Sequence, residues 1–158
     1  MTSASSPALP AGYLSAHFSL AELTVTAHRG IDNRCPPELV PNLQLVALGL
    51  EKVRDLLGRP ILVNSGYRCP TLNTEIGGAR DSAHLKGLAA DFICPGYGAP
   101  LAVCFAIARS PLIFDQLIEE GTWTHISFDP RARRQILTKA PTGGGYINGL
   151  PRAPNAQT

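Results

Sequence analysis

No stretch of this 158-residue sequence approaches the roughly 20 consecutive apolar residues that span a bilayer, which excludes a membrane-crossing helix. Charge is scarce and nearly balanced: Asp, Glu, Lys and Arg make up 16% of the chain, and the formal net charge is +2. No run of Lys and Arg is interleaved with aromatics, so the footprint of a nucleic-acid binder is missing, although an anionic polymer would be tolerated. The four cysteines (Cys35, Cys69, Cys94 and Cys104) contain no CxxC pair and match no structural zinc spacing. Free, mostly buried thiols are expected; if they are oxidised, three pairings are open. The opening MTSASSPALPAGYLSAHF has neither the positive n-region nor the continuous apolar h-region of a secretory signal. The expectation is a chain made in the cytoplasm, or one that leaves it by a route not written in a signal peptide. Internal repeats and long low-complexity tracts are absent too.

What is present fits one compact domain, for the hydrophobic fraction is 44%. Residues 1–16, rich in Ser, Ala and Pro, read as a loose lead-in, 17–140 as the domain, and 141–158 as a Gly- and Pro-rich tail of loop or arm. Phe18–Leu23 predicts a short helix, with Ser19 and Glu22 forming a capping box. After Pro36 and Pro37, the apolar stripe Leu39, Leu43, Val46, Leu50, Val53 and Leu57 predicts a long helix closed by Gly58. A strand over Ile61–Asn64 precedes a turn-rich stretch from Ser65 to Asp81. Leu88–Cys94 alternates, with Leu88, Ala90, Phe92 and Cys94 on one face and Ala89, Asp91 and Ile93 on the other. A second helix is expected over 99–109. Phe114–Ile118 and Trp123–Phe128 read as a hairpin, and Gln135–Leu137 as an edge strand. The fold class is α+β, with helices against a small, mainly antiparallel sheet.

Within those strands the charged and imidazole groups are few. Asp91 sits mid-strand among apolar neighbours, where an unpaired carboxylate is costly. His125 lies in the next strong strand, on one face with Trp123 and Ser127, and His84 lies in a loop seven positions before Asp91. Two imidazoles and a carboxylate can make a catalytic zinc set with the fourth position left to water. They can equally be core residues satisfied by hydrogen bonds.

The exact residues favour the metal. Ser82, His84, Gly87, Ala89 and Asp91 match S-x-H-x-x-G-x-A-x-D, and Trp123-Thr124-His125 matches W-x-H further on. Upstream stand Ser65-Gly66-Tyr67-Arg68, then Leu72-Asn73. In this order and spacing, residues 17–130 resemble peptidase family M15, the D-Ala-D-Ala carboxypeptidase type with a hedgehog-like fold. The resemblance implies Zn2+ in a cleft on the sheet, held by His84, Asp91 and His125. Ser82 would steady the motif loop and border the substrate together with Trp123, while Gly87 and Ala89 would keep backbone close to the metal. Tyr67 and Asn73 would shape the loop around Arg68. Arg68 would face the substrate, where a planar guanidinium can hold a carboxylate or carbonyl. Thr122 stands where several members carry an acidic base; the segment Asp115–Glu120 resembles a subgroup with a glutamate five residues before the last histidine. Glu120 is therefore the expected base and Glu119 the understudy. The implied activity is hydrolysis in the peptidoglycan stem peptide, by a phage-type endopeptidase acting on the cell wall outside the cytoplasm, as a monomer. A D-Ala-D-Ala carboxypeptidase, or a non-catalytic wall-binding or phage structural module on the same fold, is the alternative.

Overall fold

The computed structural model describes residues 7–152. The first six residues of the expected lead-in and the last six of the expected tail lie outside the described residues.

Helix α1, Val40–Leu57, forms where the apolar stripe predicts it, entered through a 3-10 turn at Pro37–Leu39. Leu43, Val46, Leu50 and Val53 are fully buried. Gly58, at φ 63°, closes the helix in the left-handed conformation that glycine adopts without cost, and its N–H donates to Arg54 O. Helix α2, Pro70–Glu75, corrects the turn-rich reading of that stretch: Pro70 occupies a first-turn position where its missing N–H costs nothing. Helix α3, Pro100–Ala108, starts the same way.

Among the described residues, one sheet holds six strands in the order β1-β2-β4-β3-β5-β6. They are β1 Leu62–Ser65, β2 Ala89–Ile93, β3 Gln116–Glu119, β4 Thr124–Ser127, β5 Gln135–Lys139 and β6 Tyr146–Asn148. All neighbours pair antiparallel except β3 and β5, which run parallel. Ala90, Phe92, Leu117 and Ile126 join Leu50, Val53, Val103, Cys104 and Ile107 in one core, so α1 and α3 cover one face of the sheet. Because strand residues alternate, Asp91, His125, Ile118 and Leu137 lie on the other face. That face floors a cleft of about 730 Å³.

Three expectations change at the edges. The strand β5 is interior rather than an edge, because the tail is not all loop. Gly143, Gly144 and Gly145, at φ 79°, 71° and 84°, turn the chain back so that β6 pairs outside it. The lead-in is tied down at Ser15, whose buried hydroxyl donates to Glu51 Oε1 at 2.6 Å, while His17 Nδ1 lies 2.7 Å from Oε2. The capping box forms, with Ser19 N donating to Glu22 Oε2 and Glu22 N to Ser19 Oγ, but it starts only a 3-10 turn at Glu22–Thr24. All four cysteines are free: Cys94 and Cys104 are buried, Cys35 and Cys69 half-buried.

The loop that carries the chain from β4 round to β5 is pinned by Asp115. Its Oδ1 accepts from Arg133 N and Nε at 3.0 and 2.9 Å, and its Oδ2 accepts from Arg133 Nη2 at 2.8 Å. Those hydrogen bonds from Arg133 outweigh burial and hold the Asp115 carboxyl below its usual range. A depressed folded-state value means stability that is present above the unfolded value and lost as pH falls through the folded one. Asp115→Asn is expected to cost about 1–2 kcal/mol near neutrality, the lower part of the range for charged hydrogen bonds because Arg133, and Arg131 at 3.5 Å from Oδ2, are half exposed. In thermal melts the gap between variant and parent should close as pH drops below about 3.9; a gap constant from pH 7 to pH 3 would refute the ion-pair role.

Candidate metal centre

The register of β2 against β4 sets Asp91 directly opposite His125. His84 arrives from a 3-10 turn, Ala83–Lys86, that is braced at both ends. Ser82 Oγ accepts from His84 N at 3.3 Å, and Gly87 takes a left-handed φ of 67°. A Cβ on Gly87 would meet Leu39 O and the Leu43 side chain at 3.4 Å, an ordinary contact, so it is the left-handed φ that calls for glycine. Its role is therefore the turn and its packing on the start of α1. The carbonyl of His84 accepts from Arg68 N at 3.1 Å, so the Ser65–Arg68 segment and the motif loop are stitched together.

The three candidate ligand atoms converge. His84 Nε2 lies 3.1 Å from Asp91 Oδ1 and 3.2 Å from His125 Nδ1, and Asp91 Oδ1 lies 2.9 Å from His125 Nδ1. Two donors at about 2.0–2.1 Å from one tetrahedral ion stand about 3.3 Å apart, so the triangle is the right size for zinc. Its chemistry points the same way. His84 Nδ1 donates to Gly66 O at 2.6 Å, and a carbonyl can only accept; Nε2 is therefore a bare lone pair. Burial keeps His84 neutral by pushing its pKa down. Burial would push the Asp91 carboxyl up, but it lies below the usual carboxylate range and is ionised, with His125 Nδ1 donating to Oδ1 and the Arg68 guanidinium to Oδ2. A lone pair and a carboxylate oxygen at 3.1 Å repel unless a cation lies between them. His125 Nε2 and Ser127 Oγ are both buried without a partner among the described residues. Two imidazoles and one carboxylate, buried, with an open side towards a cleft, form a donor set that fits zinc.

Around the triad the other expected residues sort themselves. Arg68, 14% exposed, donates from Nη2 to Asp91 Oδ2 at 2.6 Å and from Nε to Ser65 Oγ at 3.1 Å. The expected substrate-facing cation is thus first a brace for the carboxylate ligand, a contact that no sequence spacing announces. Glu120 and Trp123 line the cleft, and so does Ser82. Glu119 turns away, its Oε1 accepting from Gly121 N at 2.8 Å. Burial, helped by the charge of Asp91, pushes the Glu120 carboxyl above its ordinary value. Tyr67 is buried in the core, and Asn73 Nδ2 donates to Ala79 O, so both shape the loop as expected. The sequence reading missed Lys139 and Tyr146, cross-strand partners on β5 and β6 that also line the cleft. Their signal was the triple glycine between two short alternating segments.

Gly66 explains a feature of the Ser65–Arg68 segment. A Cβ there would lie 2.2 Å from Leu23 O, and its own carbonyl is the acceptor that orients His84. Elemental analysis should find one zinc per chain, with His84→Ala and His125→Ala abolishing it. Gly66→Ala should weaken zinc binding by roughly 10–100-fold, the usual cost of disturbing a ligand's hydrogen-bonded support. Full zinc occupancy in His84→Ala would overturn the assignment.

Comparison with known proteins agrees with this geometry. Zinc D-Ala-D-Ala carboxypeptidase of Streptomyces albus G is 46% identical over 43 residues, which is 27% of this chain and 17% of that relative's length. The model of the peptidase M15 family matches residues 16–127, a span that holds Arg68, the three ligands and Glu120. On that match, the chain belongs to the peptidase M15 family.

Proposed function

We propose that the protein is a zinc peptidase that hydrolyses a bond in the peptidoglycan stem peptide, acting on bacterial cell wall outside the cytoplasm. One observation carries this reading: three buried donors of a catalytic zinc set converge on a cleft floor, with Glu120 on the same face of the sheet. The family match supports peptide hydrolysis, and the relative's name supports zinc and a D-Ala-D-Ala substrate.

Zinc bound there supplies Lewis acidity towards the scissile carbonyl and makes water acidic enough to attack near neutral pH. Glu120 would take a proton from the attacking water and deliver it to the leaving amine; its raised proton affinity suits a group that must do both. Parity selects it over its neighbour, since Ile118 faces His125 across the ladder and residues 118 and 120 share a face. Arg68 holds Asp91 with Nη2, while Nη1 makes no hydrogen bond among the described residues and remains for a substrate carbonyl or carboxylate. Trp123 forms a wall. Ser82 borders the cleft but has its oxygen engaged by His84 N.

The cleft reaches well past the triad, to Gly77 and Asp81 before the motif and to Lys139 and Tyr146 on the outer strands. Such length suits a peptide held on both sides of the broken bond, and supports phage-type endopeptidase cleavage between L-Ala and D-Glu. Removal of the terminal D-Ala is the second reading, favoured by the name of the relative. A purely binding module has no use for a half-buried carboxylate beside the triad.

Glu120→Gln should keep zinc and fold yet lose turnover on purified sacculi by about two orders of magnitude or more. Glu119→Gln should change it little, and a chelator should abolish it. Mass spectrometry of the digest names the bond through the new amino terminus. Two fully active variants would remove the base from this segment, and intact sacculi after digestion with zinc-loaded protein would reject the wall substrate.

A further inference from the structure

Four cationic side chains line the cleft: Arg68, Arg131, Arg133 and Lys139. Arg68 is paired with Asp91, Arg131 with Asp115 and Asp129, and Arg133 with Asp115. Among the described residues, Lys139 is the one cleft cation without a carboxylate within ion-pair distance. Although Lys139 is exposed, its Nζ lies 5.6 Å from the centroid of the Trp123 ring. An aromatic face attracts an ammonium through its quadrupole without consuming its three N–H donors. Across the ladder from Lys139 stands Tyr146, whose hydroxyl donates to Glu120 Oε1 at 3.3 Å. A held cation with free donors, beside the candidate base, is a seat for an anion.

We propose that Lys139, set on Trp123, binds the α-carboxylate of the D-residue that supplies the leaving amine. The position suits it: Trp123 precedes His125 by two residues, so their Cα atoms stand at most about 7 Å apart, within reach of one peptide residue and its carboxylate. The chemistry suits both bonds under discussion. In a D-Ala-D-Ala terminus, the leaving residue ends in its α-carboxylate. In the L-Ala-D-Glu bond, the D-Glu runs on through its side-chain carboxyl, so its α-carboxylate is free as well. Each leaving group is a D-amino acid whose carboxylate sits on the carbon that bears the departing nitrogen. Both residues of this seat's outer wall, Lys139 and Tyr146, lie beyond the residues 16–127 matched by the family model, so the strands β5 and β6 would add the selectivity to the shared core.

The identity of the substrate rests on the peptidase reading above; the anion seat does not. Trp123 is the single tryptophan of the chain, so its fluorescence reports on the seat directly. Zinc-loaded Glu120→Gln protein would be titrated with acetyl-Lys-D-Ala-D-Ala and its C-terminal amide. A second pair would be L-Ala-γ-D-Glu-Lys and the same peptide with the D-Glu α-carboxyl amidated. In at least one pair the acid should bind about tenfold tighter than the amide, a charged hydrogen bond's share of affinity. Adding Lys139→Gln should bring the acid down to the amide, and Lys139→Arg should keep most of the gap. Which pair shows the gap tells the two sources apart. Equal binding of acid and amide in both pairs, no binding of any peptide, or a gap that survives Lys139→Gln overturns the proposal. A Lys139-dependent gap without turnover by the zinc-loaded parent would retain the seat and reject the peptidase.

Discussion

Asp91 opposite His125 across the β2–β4 ladder is the contact on which the rest depends. A carboxylate buried mid-strand on the cleft face would be costly unless charge and hydrogen bonds met it. Here Arg68 takes one oxygen, and the other faces the two imidazoles. The register is fixed from both faces at once. A slip of one residue would turn Phe92 and Ile126 into the cleft and drive Asp91 and His125 into the packing against α1 and α3. The apolar core thus does more than stabilise the fold, since it sets the position of the metal ligands.

Where the sequence speaks through periodicity, it speaks clearly. The α1 stripe is buried from Leu43 to Leu57, while Ala89–Phe92 and Thr124–Ser127 are buried on both faces, one against the helices and the other at the floor of the cleft. The triad was legible because its residues sit at strand positions where polar groups need a reason, and because the motif around them is specific. The preference for Glu120 over Glu119 came from the family resemblance, and the pairing of Ile118 with His125 carries residue 120, not 119, to the cleft face.

What stayed hidden depends on distant partners. That Arg68 braces Asp91 is a contact across 23 positions with no periodic trace. The glycine of the Ser65–Arg68 segment is explained only by the approach of Leu23 O from a separate turn. The helix α2 was obscured by its prolines and polar residues, which read as turn until one sees Pro70 at its start and Cys69 Sγ accepting from Leu72 N. The strand β6 is three exposed residues, too short for any pattern, and it takes its conformation from β5 beside it. Lys139 and Tyr146 came into view only with that pairing.

His84 is wired on three sides: its ring donates to Gly66, its carbonyl accepts from Arg68, and its N–H is capped by Ser82. Held so firmly, the imidazole has no easy way to swing its lone pair off the carboxylate oxygen when no cation is present. The metal-free fold therefore carries a built-in conflict, and the ion is a structural ligand as much as a chemical one. Above the dissociation constant, each tenfold rise in free zinc deepens the native well by about 1.4 kcal/mol. In surroundings where zinc is withheld, the protein would lose durability along with its chemistry, so that metal supply governs how long the molecule lasts as well as whether it works.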